Sequence, residues 1–224
     1  MEYFVYLLAS FLAVMIVITL HEFAHAFVAY KCGDPTPKMA GRLSLNPVKH
    51  FDLLGILAFA FVGFGWAKPV PVNPYNFKNG KWGSFFTSVA GVAMNFLFAF
   101  AFYPIAQLVF QFVLPKTAGT YMSIFLFDLV LYIYTYSLTF CIFNLLPFYP
   151  LDGFRMVDAL NKKRGKIYMF LRNYGYYILL ALMFVHILAD RIYLFAYIDL
   201  LGYFMSFAMN ILGWPITAFW GLFF

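Results

Sequence analysis

Long apolar runs dominate the chain and alternate with short polar segments. A helix of about 20 apolar residues crosses a bilayer, and five runs reach that length: residues 3–30, 83–113, 120–147, 167–189 and 194–222. A sixth run, residues 51–65, is shorter and is interrupted by Gly55, Gly63 and Gly65. The pattern predicts a polytopic α-helical membrane protein with five to six transmembrane helices.

The basic residues determine how the sixth run is interpreted. If residues 51–65 do not cross, the segments 31–50, 66–82 and 148–166 share one side of the membrane. Most of the 15 Lys and Arg residues then lie on that side: Lys31, Lys38, Arg42, Lys49, Lys68, Lys78, Lys81, Arg155, Lys162, Lys163, Arg164 and Lys166. By the positive-inside rule this side is cytoplasmic and the N-terminus is outside. A full crossing would split these residues between two sides, so we interpret residues 51–65 as a re-entrant or steeply tilted hairpin.

Two polar segments that flank the sixth run have extended patterns. Residues 41–46 alternate apolar and polar side chains and stop at Asn46-Pro47, which predicts a short strand. Residues 66–72 can also be extended, although Pro69 and Pro71 remove N–H donors from one edge. Together they predict a short β-hairpin after the first helix, whose edge could hold an unwound peptide. A rigid proline-rich loop is the alternative.

Composition supports the membrane interpretation. Hydrophobic residues make up 64% of the 224 residues and charged residues only 11%, which exceeds the apolar content of soluble domains. The basic residues that give the net charge of +6 lie in the gaps between apolar runs. This distribution favours contact with the lipid bilayer over binding of nucleic acid, so no nucleic-acid partner is expected. The first apolar run contains the motif described next and is expected to be retained as a helix.

The most informative stretch is His21-Glu22-Phe23-Ala24-His25, near the end of the first apolar run. On a helix two imidazoles four residues apart project from one face and can hold one divalent cation. Glu22 lies beside that face, where it can act as a general base without being a ligand. Ionisable residues at membrane depth are costly and indicate function. A hydrogen-bonded histidine pair in the helix packing is the alternative.

A second polar cluster ends the third long run, from Asn144 to Arg155. Pro147 and Pro150 cannot continue a helix, so the backbone leaves it and places Asp152 just beyond its cytoplasmic end. Asp152 and the His21/His25 pair are therefore expected at similar depth. Two imidazoles and one carboxylate leave the fourth zinc position open, which is typical of catalytic sites.

Taken together, these motifs resemble the site-2 protease family of intramembrane zinc metalloproteases. The resemblance rests on His21, Glu22 and His25, on the motif from Asn144 to Gly153, and on Gly91 with Asn95. It implies one metalloprotease domain over residues 1–224. Within it, residues 3–158 would form the catalytic core of a compact form without PDZ or CBS domain, and residues 167–222 would form two further helices.

The resemblance also implies roles for individual residues. His21, His25 and Asp152 would bind Zn2+, and Glu22 would be the catalytic base and proton shuttle. Asn144 and Asn95 would hold the substrate backbone or the developing oxyanion. From the residues alone, an interhelical hydrogen-bonding role for Asn95 is favoured over a substrate-binding role.

The implied activity is hydrolysis of peptide bonds within transmembrane protein substrates, by a multi-pass protein of a prokaryotic cell membrane whose active site faces the cytoplasm. The sequence specifies neither the substrate nor the oligomeric state. Two other functions use the same residues: a metal-ion transporter, and a catalytically silent scaffold. Ligands at one end of the membrane and the absence of a detected inverted repeat argue against transport, and an intact Glu22 argues against the scaffold.

Overall fold

Helices account for nearly all regular structure in the computed structural model, which describes residues 1–62, 65–114, 120–161, 163–189 and 191–224. The helices are α1 Glu2–Lys31, α2 Thr36–Met39, α3 Leu53–Val62, α4 Gly80–Leu108, α5 Tyr121–Leu145, α6 Asp152–Leu160, α7 Lys166–Ala189, α8 Tyr193–Ala196 and α9 Leu200–Trp220. A π-helical turn at Val109–Val113 extends α4, and 3-10 turns occur at Pro47–Lys49 and Pro74–Asn76.

Among the described residues, five helices are long and apolar enough to cross a membrane: α1, α4 with its π-helical extension, α5, α7 and α9. They coincide with the five long apolar runs of the sequence. The prediction of a polytopic helical membrane protein is confirmed at this level.

The centre of the bundle is formed by α1, α4 and α5, which pack against one another. Small residues such as Ala13 are fully buried on α1 and let the helices approach closely. Ala13 and Val17 meet Ile133 of α5, and Phe98 of α4 packs against this cluster. The outer helix α9 contributes Ile216 to a second cluster. This three-helix core supplies most of the site residues.

Side chains of polar residues mark where several helices begin. The Asn79 side chain accepts a hydrogen bond from the Trp82 N–H at the start of α4, and Thr120 caps α5 in the same way through Ser123. Such caps satisfy N–H groups that have no partner within the helix. At the other end of α5 the chain leaves the helix just before Pro147, as the sequence predicts.

The predicted β-hairpin is wrong, because no strand is present among the described residues. The segment 41–46 forms turns and bends in which side chains bond the local backbone. The Ser44 hydroxyl accepts from the Asn46 N–H, and the Asn46 side chain accepts from the Val48 N–H. These short-range bonds compete with a ladder. Residues 66–72 have no regular structure beyond one antiparallel bridge between Phe51 and Ala67, and Pro69 and Pro71 offer no N–H to extend it.

The sixth, shorter apolar run forms α3, which lies between the two bridged residues in the sequence. Its ten residues span about 15 Å, which is half of a hydrocarbon core of about 30 Å. The chain returns next to the place where it left. A Cβ added at Gly55 would lie 2.0 Å from the Trp66 carbonyl oxygen, and the Lys68 N–H donates to the His50 carbonyl at 2.9 Å. Residues 63 and 64 lie outside the described residues. The segment thus begins and ends at one level of the bundle.

Candidate metal centre

Helix α1 places both histidines of the motif on one buried face. His21 and His25 are only 8% and 5% exposed, and their Nε2 atoms lie 3.0 Å apart. Their spacing of four residues brings them one above the other on the helix, as expected from its 3.6-residue repeat. The face points at α4 and α6, which provide the remaining groups.

Asp152 begins α6, directly after the turn that follows α5. Its Oδ2 lies 3.2 Å from His21 Nε2 and 3.0 Å from His25 Nε2. Within the described part of the chain, these three residues form a buried group of possible metal ligands. The structure therefore brings together the three residues that the sequence predicts as the ligand set.

The donor atoms fit a zinc ion. His25 Nδ1 lies 2.6 Å from the Thr87 carbonyl oxygen, which only accepts, so Nδ1 carries a proton and, in the neutral ring, Nε2 presents a lone pair. The buried Asp152 Oδ2 has no hydrogen-bond partner among the described residues apart from the two ring nitrogens. Tetrahedral zinc with bonds of about 2.0–2.1 Å places its ligand atoms about 3.3 Å apart. The observed separations of 3.0–3.2 Å between the three atoms are close to this value.

Gly91 of α4 provides the space for this group. A Cβ at this position would lie 2.4 Å from His25 Nε2 and 2.7 Å from His21 Nε2. Any side chain there would occupy the volume next to both ligand nitrogens. The close approach of α4 to the histidines therefore depends on glycine.

The charge state of Asp152 suits a ligand. Burial raises the pKa of the Asp152 carboxyl, but His25 and His21 outweigh burial when their rings are protonated and hold the pKa well below its usual range; a cation in place of those protons would act in the same direction. The carboxylate is therefore ionised at neutral pH, as metal binding requires. Arg155 Nη1 lies 4.0 Å from the other carboxylate oxygen, Oδ1.

Glu22 lies beside the ligands in a cavity of about 240 Å³. Its Oε2 accepts a hydrogen bond of 3.1 Å from the Val70 N–H. The segment that contains Val70 is also held by Arg42, which donates to the Lys68 carbonyl oxygen at 2.9 Å. The carboxylate of Glu22 is thus oriented by a backbone N–H at the edge of the cavity.

The two predicted asparagines occupy different positions. Asn144 lines the cavity, and its Nδ2 donates to the Phe140 carbonyl oxygen in its own helix at 3.1 Å. Asn95 is 1% exposed, and its Nδ2 lies 3.0 Å from His21 Nδ1. Asn95 therefore contacts a ligand of the candidate metal centre directly.

A known protein-family model matches the part of the chain that contains these motifs. The model of peptidase family M50 matches residues 9–186, which include every residue of the centre. The chain belongs to peptidase family M50, the site-2 protease family. The resemblance noted in the sequence is thereby confirmed.

Two curated relatives of this M50 chain have related names. "Putative zinc metalloprotease YwhC" of Bacillus subtilis (strain 168) is 40% identical over 149 residues, which are 63% of this chain and 64% of that protein. "Putative zinc metalloprotease Rip2" of Mycolicibacterium smegmatis (strain ATCC 700084 / mc(2)155) is 25% identical over 213 residues, 92% of this chain and 78% of that protein. The first match thus spans less than two thirds of its relative. No solved structure matches the chain.

Three groups of the M50 site were not predicted as site residues from the sequence. Thr87 and Val70 act through a backbone carbonyl and a backbone N–H, which every residue except proline possesses, so no residue pattern marks them. Arg155 lines the cavity, although from the sequence it was only a basic residue at the end of the polar cluster that contains Asp152. Its position one helical turn after Asp152 was the available signal.

Proposed function

We propose that this M50 protein is a zinc-dependent intramembrane endopeptidase that hydrolyses peptide bonds within or near transmembrane segments of membrane proteins. The observation that carries the proposal is the convergence of His21, His25 and Asp152 on one point, beside a cavity that contains Glu22. The names of both relatives, zinc metalloproteases, support the same chemistry.

The depth of the centre supports cleavage within the membrane. His21 lies ten residues before the end of α1 at Lys31, or about 15 Å along the helix axis. A centre at this depth lies beside the apolar part of the helices and not at their polar ends. A substrate bond that reaches it would belong to a membrane-embedded or immediately adjacent segment.

His21, His25 and Asp152 would hold the zinc ion through two nitrogen atoms and one oxygen atom. Bound zinc supplies Lewis acidity, which polarises the scissile carbonyl and makes water a stronger nucleophile near neutral pH. Thr87 fixes the His25 ring through Nδ1, so that its Nε2 remains directed at the centre.

Glu22 would move the proton. Its carboxylate takes a proton from the attacking water and passes it to the leaving amine as the peptide C–N bond breaks. The Val70 N–H holds this carboxylate at the cavity edge through Oε2 and leaves Oε1 for the water. Val70 thereby positions the base.

The substrate would bind as an unwound segment, because a helix hides its carbonyl groups in its own hydrogen bonds. Asn144 is suited to hold it, since its amide has two hydrogens and only one is used on the Phe140 carbonyl. The N–H groups of Lys68 and Val70 are already bonded to His50 and Glu22. Strand addition at that edge would therefore require Glu22 to release Val70.

We further propose that the centre faces the cytoplasm of a prokaryotic cell membrane. Basic residues lie at the same end of the bundle, including Lys31 at the end of α1 and Lys81 in the first turn of α4. This distribution agrees with the positive-inside rule. The partners are then the surrounding lipid and membrane-spanning protein substrates.

Glu22→Gln tests the proposal, because it removes the base and preserves its shape. Wild type and variant are co-expressed with a panel of single-span membrane proteins, and zinc is measured in both purified proteins. We expect the substrate fragments produced by wild type to be absent with the variant, and the zinc content of the two proteins to be the same. Identical fragments in both samples would contradict the protease. Zinc flux into vesicles that persists in the variant would favour a transporter.

A further inference from the structure

We propose that Asn95 is a positioning residue for the metal centre: its side-chain oxygen accepts the Nδ1–H of His21 and so directs the His21 Nε2 lone pair at zinc. This inference rests on the proposed function for the presence of zinc. It assigns Asn95 a role other than holding the substrate or the oxyanion, which the family resemblance implies.

The location of Asn95 separates it from the substrate. The side chain is almost fully buried against His21, and Asn95 is not among the described residues that line the cavity. Asn144, by contrast, is half-buried and lines that cavity. A substrate carbonyl in the cavity would therefore meet Asn144, while Asn95 is covered by the ligand it contacts.

The chemistry of a neutral imidazole fixes what Asn95 must do. Such a ring carries one N–H, so coordination through His21 Nε2 requires the proton on Nδ1. That N–H then needs an acceptor, and the group 3.0 Å away is the Asn95 amide. Its Nδ2 faces the ring in the structure. The two ends of an amide are nearly equal in size, and a half-turn puts Oδ1 in the same place.

Helix α4 provides a hydrogen-bond acceptor for each of the two histidine rings. The Thr87 carbonyl oxygen accepts from His25 Nδ1 at 2.6 Å, and Gly91 leaves room for both Nε2 atoms. Thr87, Gly91 and Asn95 are spaced by four residues and share one face of α4. One helix face therefore supplies an acceptor for each ring and the space between them.

The test measures zinc affinity, by competition with a chelator, for wild type and two variants. Asn95→Leu has a similar size and no acceptor, whereas Asn95→Asp keeps an oxygen at the same position. We expect Asn95→Leu to weaken zinc binding roughly 10- to 100-fold, the usual effect of removing such a partner. Asn95→Asp should bind zinc at least as tightly as wild type. Asn144→Leu is the matched control and should keep wild-type zinc affinity while losing cleavage.

Other results would overturn the inference. Wild-type zinc affinity in Asn95→Leu combined with lost cleavage would show that Asn95 acts on the substrate. Equal weakening in both variants would show that Asn95 serves only packing. If wild type itself binds no zinc, the proposed zinc-dependent function fails, and the assignment of Asn95 fails with it.

A second measurement avoids dependence on the folding of Asn95→Leu. In zinc-loaded protein with 15N-labelled histidine, we expect a hydrogen-bonded Nδ1–H signal from His21 and one from His25, in addition to the signals of His50 and His186, whose rings bond Ser44 and Asp199. Asn95→Asp should shift the His21 signal downfield, because a carboxylate is the stronger acceptor, and leave the other signals unchanged. An unshifted His21 signal would contradict a hydrogen bond from His21 to residue 95.

Discussion

At the scale of single residues, the centre depends on an absent side chain as much as on the ligands. Gly91 sits where a Cβ would touch the ligand nitrogens of both histidines. Interiors are close-packed, so an added methyl group must displace its neighbours. The neighbours here are the two rings whose geometry the metal requires.

Gly91→Ala is therefore expected to reduce zinc binding at least tenfold and to abolish cleavage, with little effect on helix content. Zinc content and circular dichroism of the purified variant check this. Gly165→Ala is the matched control, because a Cβ at Gly165 has no neighbour within 4 Å. Full zinc occupancy in Gly91→Ala would mean that α4 does not approach the histidines as described.

The hydrogen bond between Val70 and Glu22 makes a second prediction at this scale. Val70→Pro removes the N–H at a position that already lies between Pro69 and Pro71. Loss of one hydrogen bond to a carboxylate, about 1.5 kcal/mol, should lower kcat roughly tenfold. Zinc content should stay unchanged. Val70→Ala keeps the N–H and should cleave at nearly the wild-type rate; equal activity in both variants would contradict the role of this N–H.

At the scale of elements, the turn that carries Asp152 is supported by α7, although α7 has no sequence motif. A Cβ at Gly175 would lie 2.7 Å from the Tyr149 backbone nitrogen. The Tyr168 ring of α7 stacks on Phe154, and its hydroxyl bonds to Asp158. The position of the third ligand thus depends on contacts outside residues 3–158, the predicted catalytic core.

Gly175→Ala should displace this turn and weaken zinc binding, with a loss of stability of about 1–3 kcal/mol from overpacking. Thermal unfolding and zinc affinity in the same detergent measure both effects. In the control Gly213→Ala on α9, the added Cβ would lie at an ordinary contact distance of 3.4 Å from Leu138. If the two variants behave alike, α7 does not support the site.

A buried carboxylate joins α1 to the segment that precedes α4. Asp34 accepts bonds from the Thr36 backbone and hydroxyl, the Asn73 N–H and the Asn76 side chain, at 2.6–3.0 Å. Burial raises the pKa of Asp34, but these hydrogen bonds outweigh burial, and its pKa lies below the ordinary value. The ionised form is therefore favoured by folding.

The stability contributed by Asp34 should depend on pH. A folded pKa below the unfolded value of about 3.9 gives a contribution that is complete above that pH and is lost as pH falls through the folded pKa. Asp34→Asn should cost about 1–2 kcal/mol at neutral pH. The difference in thermal midpoint between wild type and variant should be constant from neutral pH to about 5 and should shrink below about 4. A difference independent of pH would contradict an ionised Asp34.

Features of the molecule that local patterns determine were predictable from the sequence, whereas features that depend on tertiary packing were not. The long apolar runs and the spacing of His21 and His25 are local patterns, so five helices and one pair of candidate metal ligands were predictable. Asp152 was predictable because prolines end α5 just before it. The hairpin was wrong because Ser44 and Asn46 bond their own backbone. The Thr87 and Val70 contacts depend on tertiary packing, which no local pattern encodes.

At the scale of the whole molecule, a helical bundle brings candidate metal ligands from α1 and α6 together. The two imidazole nitrogens and the carboxylate oxygen lie within 3.2 Å of one another, so their burial requires a proton on a ring or a cation between them. A bound ion serves all three atoms at once. The entire functional proposal depends on that ion and on its three ligands.

X-ray absorption at the zinc edge, on purified wild type and Asp152→Ala, tests this claim most directly. We expect one zinc per wild-type chain, with nitrogen and oxygen ligands at about 2.0–2.1 Å and the scattering pattern of two imidazoles. Zinc should be largely lost from Asp152→Ala. Sulfur ligands, or an unchanged zinc spectrum in Asp152→Ala, would contradict the account.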